Sequence, residues 1–159
     1  SKDLKEHNFV IEYLIKCLEI LKITNFKKGD MKVITFGDIS HLQTLIFAKV
    51  KNLCPFELLE NLHPSPAVCG FPKNEALDWI NTLESFPRGN YASPMGWVDA
   101  SGNSSFLLAI RGARYIEENI EFTAGSGIVS GSVLEKEIDE IKLKFESIVK
   151  QIFFAKNPR

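Results

Sequence analysis

The sequence has few cysteines, few histidines, no excess of one charge and no long apolar run. Its three cysteines form no CxxC pair and its three histidines form no HxxxH pair. These spacings argue against a disulfide framework and a structural zinc site, and they predict reduced thiols. Nineteen basic and twenty acidic residues give a net charge of −1. The charge therefore gives no reason to expect nucleic acid or an anionic membrane as a partner.

The sequence also shows no signal for secretion or for a membrane-spanning segment. The start, SKDLKEHNF, is charged and lacks the apolar core of a secretory signal. No apolar run approaches the roughly 20 residues that a membrane span needs. We therefore expect a cytoplasmic protein, or one of the plastid stroma if the source is a photosynthetic eukaryote. The 45% apolar and 25% charged composition is typical of one globular domain or part of a larger one.

Hydrophobic periodicity and breaker residues predict a mixed order of elements. Helices are predicted at 2–24, 55–61, 73–84 and 132–153. Strands are predicted at 31–36, 41–50, 95–99, 105–115 and 119–129. The proline-rich segment 63–72 is predicted to be an irregular loop. This order favours an α+β fold over a parallel βαβ series.

Charged residues share one face of the last predicted helix. Glu137, Glu140 and Lys144 lie at positions i, i+3 and i+7, next to an apolar stripe. Such a pair of carboxylates is suited to a hard cation, since Mg²⁺ takes one or two carboxylates plus waters. The alternative is a solvated helix flank that carries ordinary ion pairs.

Two further segments have a chemical and a structural interpretation. The glycines in TAGSGIV, at 123–129, indicate either a β-bulge or a row of backbone amides facing a carboxylate. Arg111 follows the apolar run FLLAI, so it either binds an anion with two hydrogen bonds or forms a structural ion pair. Tyr91 either donates its hydroxyl to the same anion or packs. His63 either orients a ligand or caps its own loop.

Together these segments resemble the isochorismate synthases among the chorismate-utilising, anthranilate synthase component I-like enzymes. HPSPAVCGFP resembles the motif HPTPAVxGxP, and RGNYASPMGW resembles RGxYAGxxGW. AGSGIV resembles AGAGIV, and GSVLEKEIDEIKLK resembles the metal-binding helix of the family. KDLKEHNFV and SHLQT resemble KDRxEHxxV and xHLxT. The similarity covers essentially the whole chain in the order of the family.

The resemblance implies a fold and a domain organisation. Residues 1–159 are expected to be the C-terminal part of a single chorismate-binding domain. Its strands should be largely antiparallel, between a long N-terminal and a long C-terminal helix. Family members are more than twice as long, and their base lysine and acid glutamate lie upstream of the first motif seen here. We therefore expect no catalytic acid or base in this chain and no activity of this chain alone.

The resemblance also implies site residues. Glu6 and Glu140 match the carboxylates that hold Mg²⁺, and Glu137 matches a position that reaches the metal through water. The positions that match contacts to substrate carboxylates are Tyr91, Arg111, Gly125 and Lys144. His41 and His63 match active-site histidines whose roles are less defined.

Ala67 selects a branch of the family. The resemblance places it where members that release pyruvate carry threonine, which favours a synthase that stops at isochorismate. The expected reaction adds water at C2 of chorismate and removes the hydroxyl at C4, in quinone (menaquinone or phylloquinone) or siderophore synthesis, with quinone synthesis preferred. The alternatives are a salicylate or anthranilate synthase, or a ligand-binding fragment without catalysis.

A fragment of this fold is also expected to self-associate through the face left open by the missing half.

The sequence departs from the family motifs at single positions. None of these changes removes a charge that the chemistry needs, so they affect loop geometry more than identity. The departures are Ala48, Ser93, Ser126 and Leu134.

Overall fold

The computed structural model describes residues 2–36 and 39–153, so residue 1 and residues 154–159 of the predicted domain lie outside the described part. This part contains four helices and eight short strands. The helices are α1 (Lys2–Ile20), α2 (Pro55–Leu62), α3 (Lys73–Leu83) and α4 (Leu134–Phe153). The strands are β1 (Phe26–Lys28), β2 (Lys32–Phe36), β3 (Ile39–Gln43), β4 (Ile46–Ala48), β5 (Pro94–Val98), β6 (Ser104–Leu108), β7 (Gly112–Ile116) and β8 (Asn119–Thr123).

All strand pairs in the described residues are antiparallel, and they form four two-stranded sheets. β2 pairs with β3, and β1 pairs with β4 on either side of that hairpin in sequence. β5 pairs with β6 and β7 with β8, as two successive hairpins. The predicted α+β class, with a long helix at each end, is confirmed.

The first helix ends four residues earlier than predicted. Lys22 has a left-handed φ of 58°. Its amide bonds the carbonyl of Glu19, and the Ile23 amide bonds the carbonyl of Leu18. This is a Schellman motif with lysine at the position where glycine is usual. Because no glycine or proline marks the end of the helix, the sequence pattern did not predict it. The chain then forms β1, a strand that the periodicity did not predict.

Three predicted strands are shorter or divided. The segment 41–50 splits into β3 and β4, because the chain leaves one hairpin at Thr44 and pairs with β1 beyond Leu45. The segment 105–115 splits into β6 and β7, because Arg111 has a left-handed φ of 53°. The segment 119–129 stops at Thr123, so the glycines lie after the strand. A bulge within a strand is therefore the wrong interpretation of TAGSGIV.

Helix α1 anchors the proline-rich loop. The Tyr13 hydroxyl lies 3.3 Å from the carbonyl of Pro64, and the Cys17 thiol lies 3.3 Å from the carbonyl of Asn61. Burial raises the pKa of Tyr13 to about 12, with contributions from Cys17. The loop is irregular over 63–72, as predicted, and it is held against the same helix that carries Glu6.

The buried core is small for a chain of this length. The chain exposes 12,227 Å², whereas a folded monomer of 17.9 kDa is expected to expose about 8,000 Å². Large apolar side chains stay exposed on every sheet pair and on all four helices. Those with the greatest exposure include Val33, Phe47, Trp79, Leu83, Leu107, Tyr115, Ile128 and Leu134. Surface of this extent is typical of a docking face rather than of a free monomer.

Two predictions from composition can be compared with the structure. Cys17, Cys54 and Cys69 are free thiols, and the first and last of them are buried. None of the described helices is long and apolar enough to cross a membrane.

Candidate active site

Three carboxylates from the two terminal helices converge on one ammonium group. Glu6 projects from α1, and Glu137 and Glu140 project from α4. The Lys2 Nζ lies 2.5 Å from Glu137 Oε1, 3.6 Å from Glu6 Oε1 and 3.8 Å from Glu140 Oε2. Positions i and i+4 on α1 place Lys2 and Glu6 on one face, and i and i+3 on α4 do the same for the two glutamates. The cluster therefore joins the two ends of the fold.

Glu137 is buried and has a partner on each oxygen. Oε1 accepts a hydrogen bond from Lys2, and Oε2 accepts one from the Ser126 hydroxyl. These two bonds hold the pKa of Glu137 at about 2, against the smaller opposing effect of burial. A buried carboxylate held this way is an anchor, because losing Lys2 would leave a buried charge unpaired and losing Ser126 would leave a buried oxygen without a donor.

Stability should depend on pH through Glu137. Its pKa is about 2 in the folded chain against an ordinary value of 4.5, so its contribution is complete above pH 4.5. The contribution is lost as the pH falls from 4.5 toward 2. We expect thermal unfolding to show a drop in Tm from about pH 5 to about pH 3 that is steeper in the wild type than in Glu137→Gln.

The exposed Glu135→Gln on the same helix serves as the control and should keep the wild-type slope. Glu6 has a raised pKa and acts with the opposite sign, but it is common to all three proteins. Equal slopes in the wild type and Glu137→Gln would contradict the assignment of Glu137 as the anchor.

Glu6 has an incompletely satisfied carboxylate. Its Oε1 is buried, and no hydrogen-bond donor in the described part of the chain reaches it, although Lys2 lies 3.6 Å away. Gly127 packs against it, since a Cβ there would lie 3.3 Å from both carboxylate oxygens. Burial raises the pKa of Glu6, and the charge of Glu140 adds to the shift. An added cation would therefore be favourable here.

Lys144 connects the carboxylate cluster to the glycine-rich segment. Its ammonium donates to the Gly125 carbonyl at 2.7 Å and to Glu140 Oε1 at 2.6 Å. Segment 124–129 has no regular structure. This irregular backbone lets Gly125 and Ser126 both reach the polar face of α4.

Arg111 and His41 form the other side of the site. The Arg111 guanidinium lies against both ring nitrogens of His41, one at 3.4 Å and the other closer. Burial lowers the pKa of His41, and the charges of Arg111 and Lys144 lower it further. Among the contacts of the described residues, Arg111 bonds a neutral ring and no carboxylate, which disfavours the structural ion pair as its role. Its left-handed φ of 53° is a strained position of the kind found at functional sites.

Tyr91 approaches the glycine-rich segment from the turn that precedes β5. Its hydroxyl lies so near Gly125 that a Cβ at that position would be 2.7 Å from it. The Arg88 guanidinium lies 5.7 Å from the centre of the Tyr91 ring. Burial raises the pKa of Tyr91, so the hydroxyl keeps its proton and can donate it to an anion.

His63 and Ala67 lie apart from the carboxylates. The His63 amide caps α2 through the Leu59 carbonyl, and its own carbonyl accepts a bond from Lys73. Its ring lines a cavity of about 140 Å³ shared with Tyr91. Ala67 is exposed in the turn that follows. The His63 backbone thus ends α2, and both roles expected of its side chain stay predictions. A larger cavity, of about 380 Å³, lies beside Lys27 and Phe47 and contains none of the predicted site residues.

Comparison with known proteins identifies the family. The chorismate binding enzymes match residues 1–153. The chain belongs to this family. A vibriobactin-specific isochorismate synthase of Vibrio cholerae is 34% identical over 151 residues, which cover 94% of this chain and 38% of that protein. The isochorismate synthase MenF of Bacillus subtilis is 32% identical over 151 residues, with 94% and 32% covered.

A solved structure agrees with the fold of this chorismate binding enzyme. A protein from Bacillus anthracis described as a 2,3-dihydroxybenzoate-specific isochorismate synthase superposes with a TM-score of 0.87 at 34% identity. The match covers 94% of this chain and 40% of that one. The chain thus spans two fifths or less of the length of these relatives. The family and the fold that the motifs predicted are confirmed.

Two residues of the site in this chorismate binding enzyme were not predicted. Lys2 lies among the carboxylates, although the motif KDLKEH drew attention only to Glu6. The i, i+4 spacing of Lys2 and Glu6 was the available signal. Ser126 was interpreted as a change in loop geometry, but its hydroxyl bonds Glu137. No sequence pattern announces that bond, because it depends on where the irregular segment meets α4.

The donor set of this chorismate binding enzyme fits Mg²⁺. Among residues 2–36 and 39–153, no three His, Cys, Asp or Glu side chains come together closely enough to surround a metal ion. Mg²⁺ needs only one or two protein carboxylates, because waters and substrate oxygens complete its shell. Glu6, with its buried unbonded oxygen, and Glu140, which faces it across Lys2, provide that number. The magnesium site remains a prediction.

Proposed function

We propose that this chain provides the metal and substrate contacts of a Mg²⁺-dependent isochorismate synthase, which converts chorismate to isochorismate. The observation that carries the proposal is one arrangement of charges. A cluster of carboxylates, Glu6 and Glu140, lies directly beside two cationic side chains, Lys144 and Arg111. A dianionic substrate and a divalent cation together complement that arrangement. The names of these relatives, which are isochorismate synthases, support this reaction.

The side chains would divide the substrate between them. Arg111, which is strained and backed by neutral His41, would hold one carboxylate with two hydrogen bonds. The protonated Tyr91 hydroxyl lies by Gly125, on the side from which it would donate to the same group. Lys144 would contact the other carboxylate from its place beside Glu140. Mg²⁺, bound at Glu6 and Glu140, would neutralise and orient that carboxylate.

Glu137 has a structural role besides the water-mediated metal contact that the family motif implies. Lys2 and Ser126 each donate to one of its oxygens, so in this chain it would position α4, and the remaining lone pairs could accept from a metal-bound water. The addition of water at C2 and the loss of hydroxide from C4 need a base and an acid. We propose that these come from the polypeptide that completes the domain, with residues 1–159 as its C-terminal part.

Ala67 supports the isochorismate branch over a salicylate synthase. The residue is exposed and leaves room where the pyruvate-releasing branch carries threonine. Quinone synthesis is the pathway we prefer, and the vibriobactin-specific relative makes siderophore synthesis the alternative. The free thiols support a reducing compartment, the cytoplasm or the plastid stroma.

Residues 1–159 alone should not turn over chorismate, because each missing proton-transfer group costs about a hundredfold to ten-thousandfold. The test is a fusion of this chain behind the part of the Vibrio cholerae relative that it does not match. Isochorismate formation with Mg²⁺ is measured by chromatography for the fusion, for this chain and for the added part. We expect product from the fusion only.

Salicylate or anthranilate as the product of the fusion would replace the proposed reaction by a sister reaction. Turnover by residues 1–159 alone would show that the acid and base lie in this chain. Sedimentation of the chain alone provides a second readout, because the excess exposed surface predicts association that the fusion should suppress. Binding of chorismate without turnover by the fusion would favour the ligand-binding alternative.

A further inference from the structure

Lys2 occupies the position in the carboxylate cluster that a cation would take. Its ammonium lies within 3.8 Å of oxygens from Glu6, Glu137 and Glu140 at once. The contacts come from two helices at opposite ends of the chain, so they are not a local helix pair. Only one of the three, with Glu6, has the i, i+4 spacing that sequence proximity produces.

We infer that Lys2 is the internal cation of this cluster and that it competes with a divalent ion for Glu6 and Glu140. The inference rests on the proposed Mg²⁺ site. Lys2 thereby acts as a positioning residue. In the absence of metal it holds the three carboxylates together, and it raises the metal concentration needed to load the site.

Charge supports the competition. Three carboxylates and the two ammonium groups of Lys2 and Lys144 leave one net negative charge in the cluster. A divalent ion bound by Glu6 and Glu140 would lie a few ångströms from Lys2, where like charges repel strongly outside bulk water. The lysine stem is flexible and a quarter exposed, so the ammonium can withdraw without a change of backbone.

The three contacts of Lys2 differ in length, and this difference indicates which of them would remain after a metal ion binds. Lys2 donates to Glu137 at 2.5 Å and lies more than 3.5 Å from Glu6 and Glu140. Lys2 can therefore give up the two longer contacts and keep Glu137, whose second oxygen is held by Ser126. Glu137 is thus the residue to which the displaced ammonium stays attached.

The test uses Mn²⁺ as the probe ion and calorimetric titration of residues 1–159. Lys2→Met should bind Mn²⁺ about tenfold more tightly than the wild type, since one nearby positive charge is removed. Lys5→Met is the matched control, because Lys5 is exposed one turn further along α1, and it should leave the dissociation constant unchanged. A purely structural role for Lys2 would weaken Mn²⁺ binding in Lys2→Met.

Stability without metal gives the second readout. Lys2→Met should lower Tm, and adding Glu137→Gln should restore part of the loss, because the buried charge is no longer unpaired. Lys2→Gln keeps a hydrogen-bond donor for Glu137 but removes the charge. It replaces Lys2→Met in the Mn²⁺ titration if Lys2→Met does not fold. Unchanged or weaker Mn²⁺ binding in the lysine variant overturns the inference, as does absence of binding in every variant. Isochorismate formation by the fusion decides the proposed function separately.

Discussion

Replacing Arg111 by methionine in the fused enzyme is expected to lower kcat/KM for chorismate by about thirtyfold to five-thousandfold. This range corresponds to the roughly 2–5 kcal/mol lost when one partner of a desolvated, hydrogen-bonded charge pair is removed. The measurement is steady-state isochorismate formation at saturating Mg²⁺. The loss should appear in KM and in kcat if Arg111 grips the substrate carboxylate more tightly as the reaction proceeds.

The structure explains why lysine should not substitute for Arg111. The two terminal nitrogens of the guanidinium contact the two ring nitrogens of His41, a geometry that a lysine ammonium cannot reproduce. Burial and the nearby positive charges lower the pKa of His41, so the ring stays neutral near pH 7 and does not repel Arg111. We therefore expect Arg111→Lys to recover only a small part of the activity.

Arg114→Met is the matched control for Arg111. Arg114 lies three residues further along the same hairpin, is exposed, and pairs across the strands with Glu121 at 2.5 Å. Exposed pairs of this kind contribute about 0.2–1 kcal/mol to stability, so kcat/KM should stay near the wild-type value. Equal losses in the two variants would mean that the hairpin matters only for folding.

The sequence predicted most of the polar residues of the site, but it did so through motifs. Spacing alone grouped Glu137, Glu140 and Lys144, and helix geometry is sufficient for that because neighbours at i+3 and i+4 share a face. Long-range partners were available only through the resemblance. No local rule connects Glu6 on the first helix with Glu140 on the last.

The errors in secondary structure have one physical cause. Chain reversals at Lys22 and Arg111 use left-handed backbone without glycine, so the usual signals of a helix end and a strand end were missing. Both reversals rest on backbone hydrogen bonds or side-chain contacts that form only in the folded chain. At Arg111 the reversal is the feature that brings the guanidinium to His41, so the error lay at a candidate functional residue.

The hydrogen bonds of Glu137 are a second example of a feature that forms only in the folded chain and that the sequence therefore did not predict. The family motif implied a metal position reached through water. The structure shows in addition that Lys2 and Ser126 each donate to one of its oxygens, and Ser126 is a departure from the motif. A hydroxyl in an irregular segment makes no pattern in a sequence. Its effect appears only when segment 124–129 meets the last helix.

Glu140→Gln should have the other large effect, because Glu140 would belong to both the metal side and the substrate side of the proposed site. It contacts Lys2 through one oxygen and Lys144 through the other. Loss of an outer-shell partner of a metal ligand costs about 10–100-fold in affinity, so loss of a direct ligand should cost at least about a hundredfold. Mn²⁺ titration of residues 1–159 measures this loss, and isochorismate formation by the fusion should fall at least as far.

Asp139→Asn provides the control, since Asp139 is the adjacent residue, is exposed and pairs only locally with Lys142 at 3.2 Å among the contacts described. It should retain both Mn²⁺ affinity and turnover. Retained Mn²⁺ binding in Glu140→Gln with lost turnover would instead assign Glu140 to holding Lys144 beside the substrate. Because Glu140 is the only described side chain that contacts both lysines, these two outcomes separate metal binding from the positioning of Lys144.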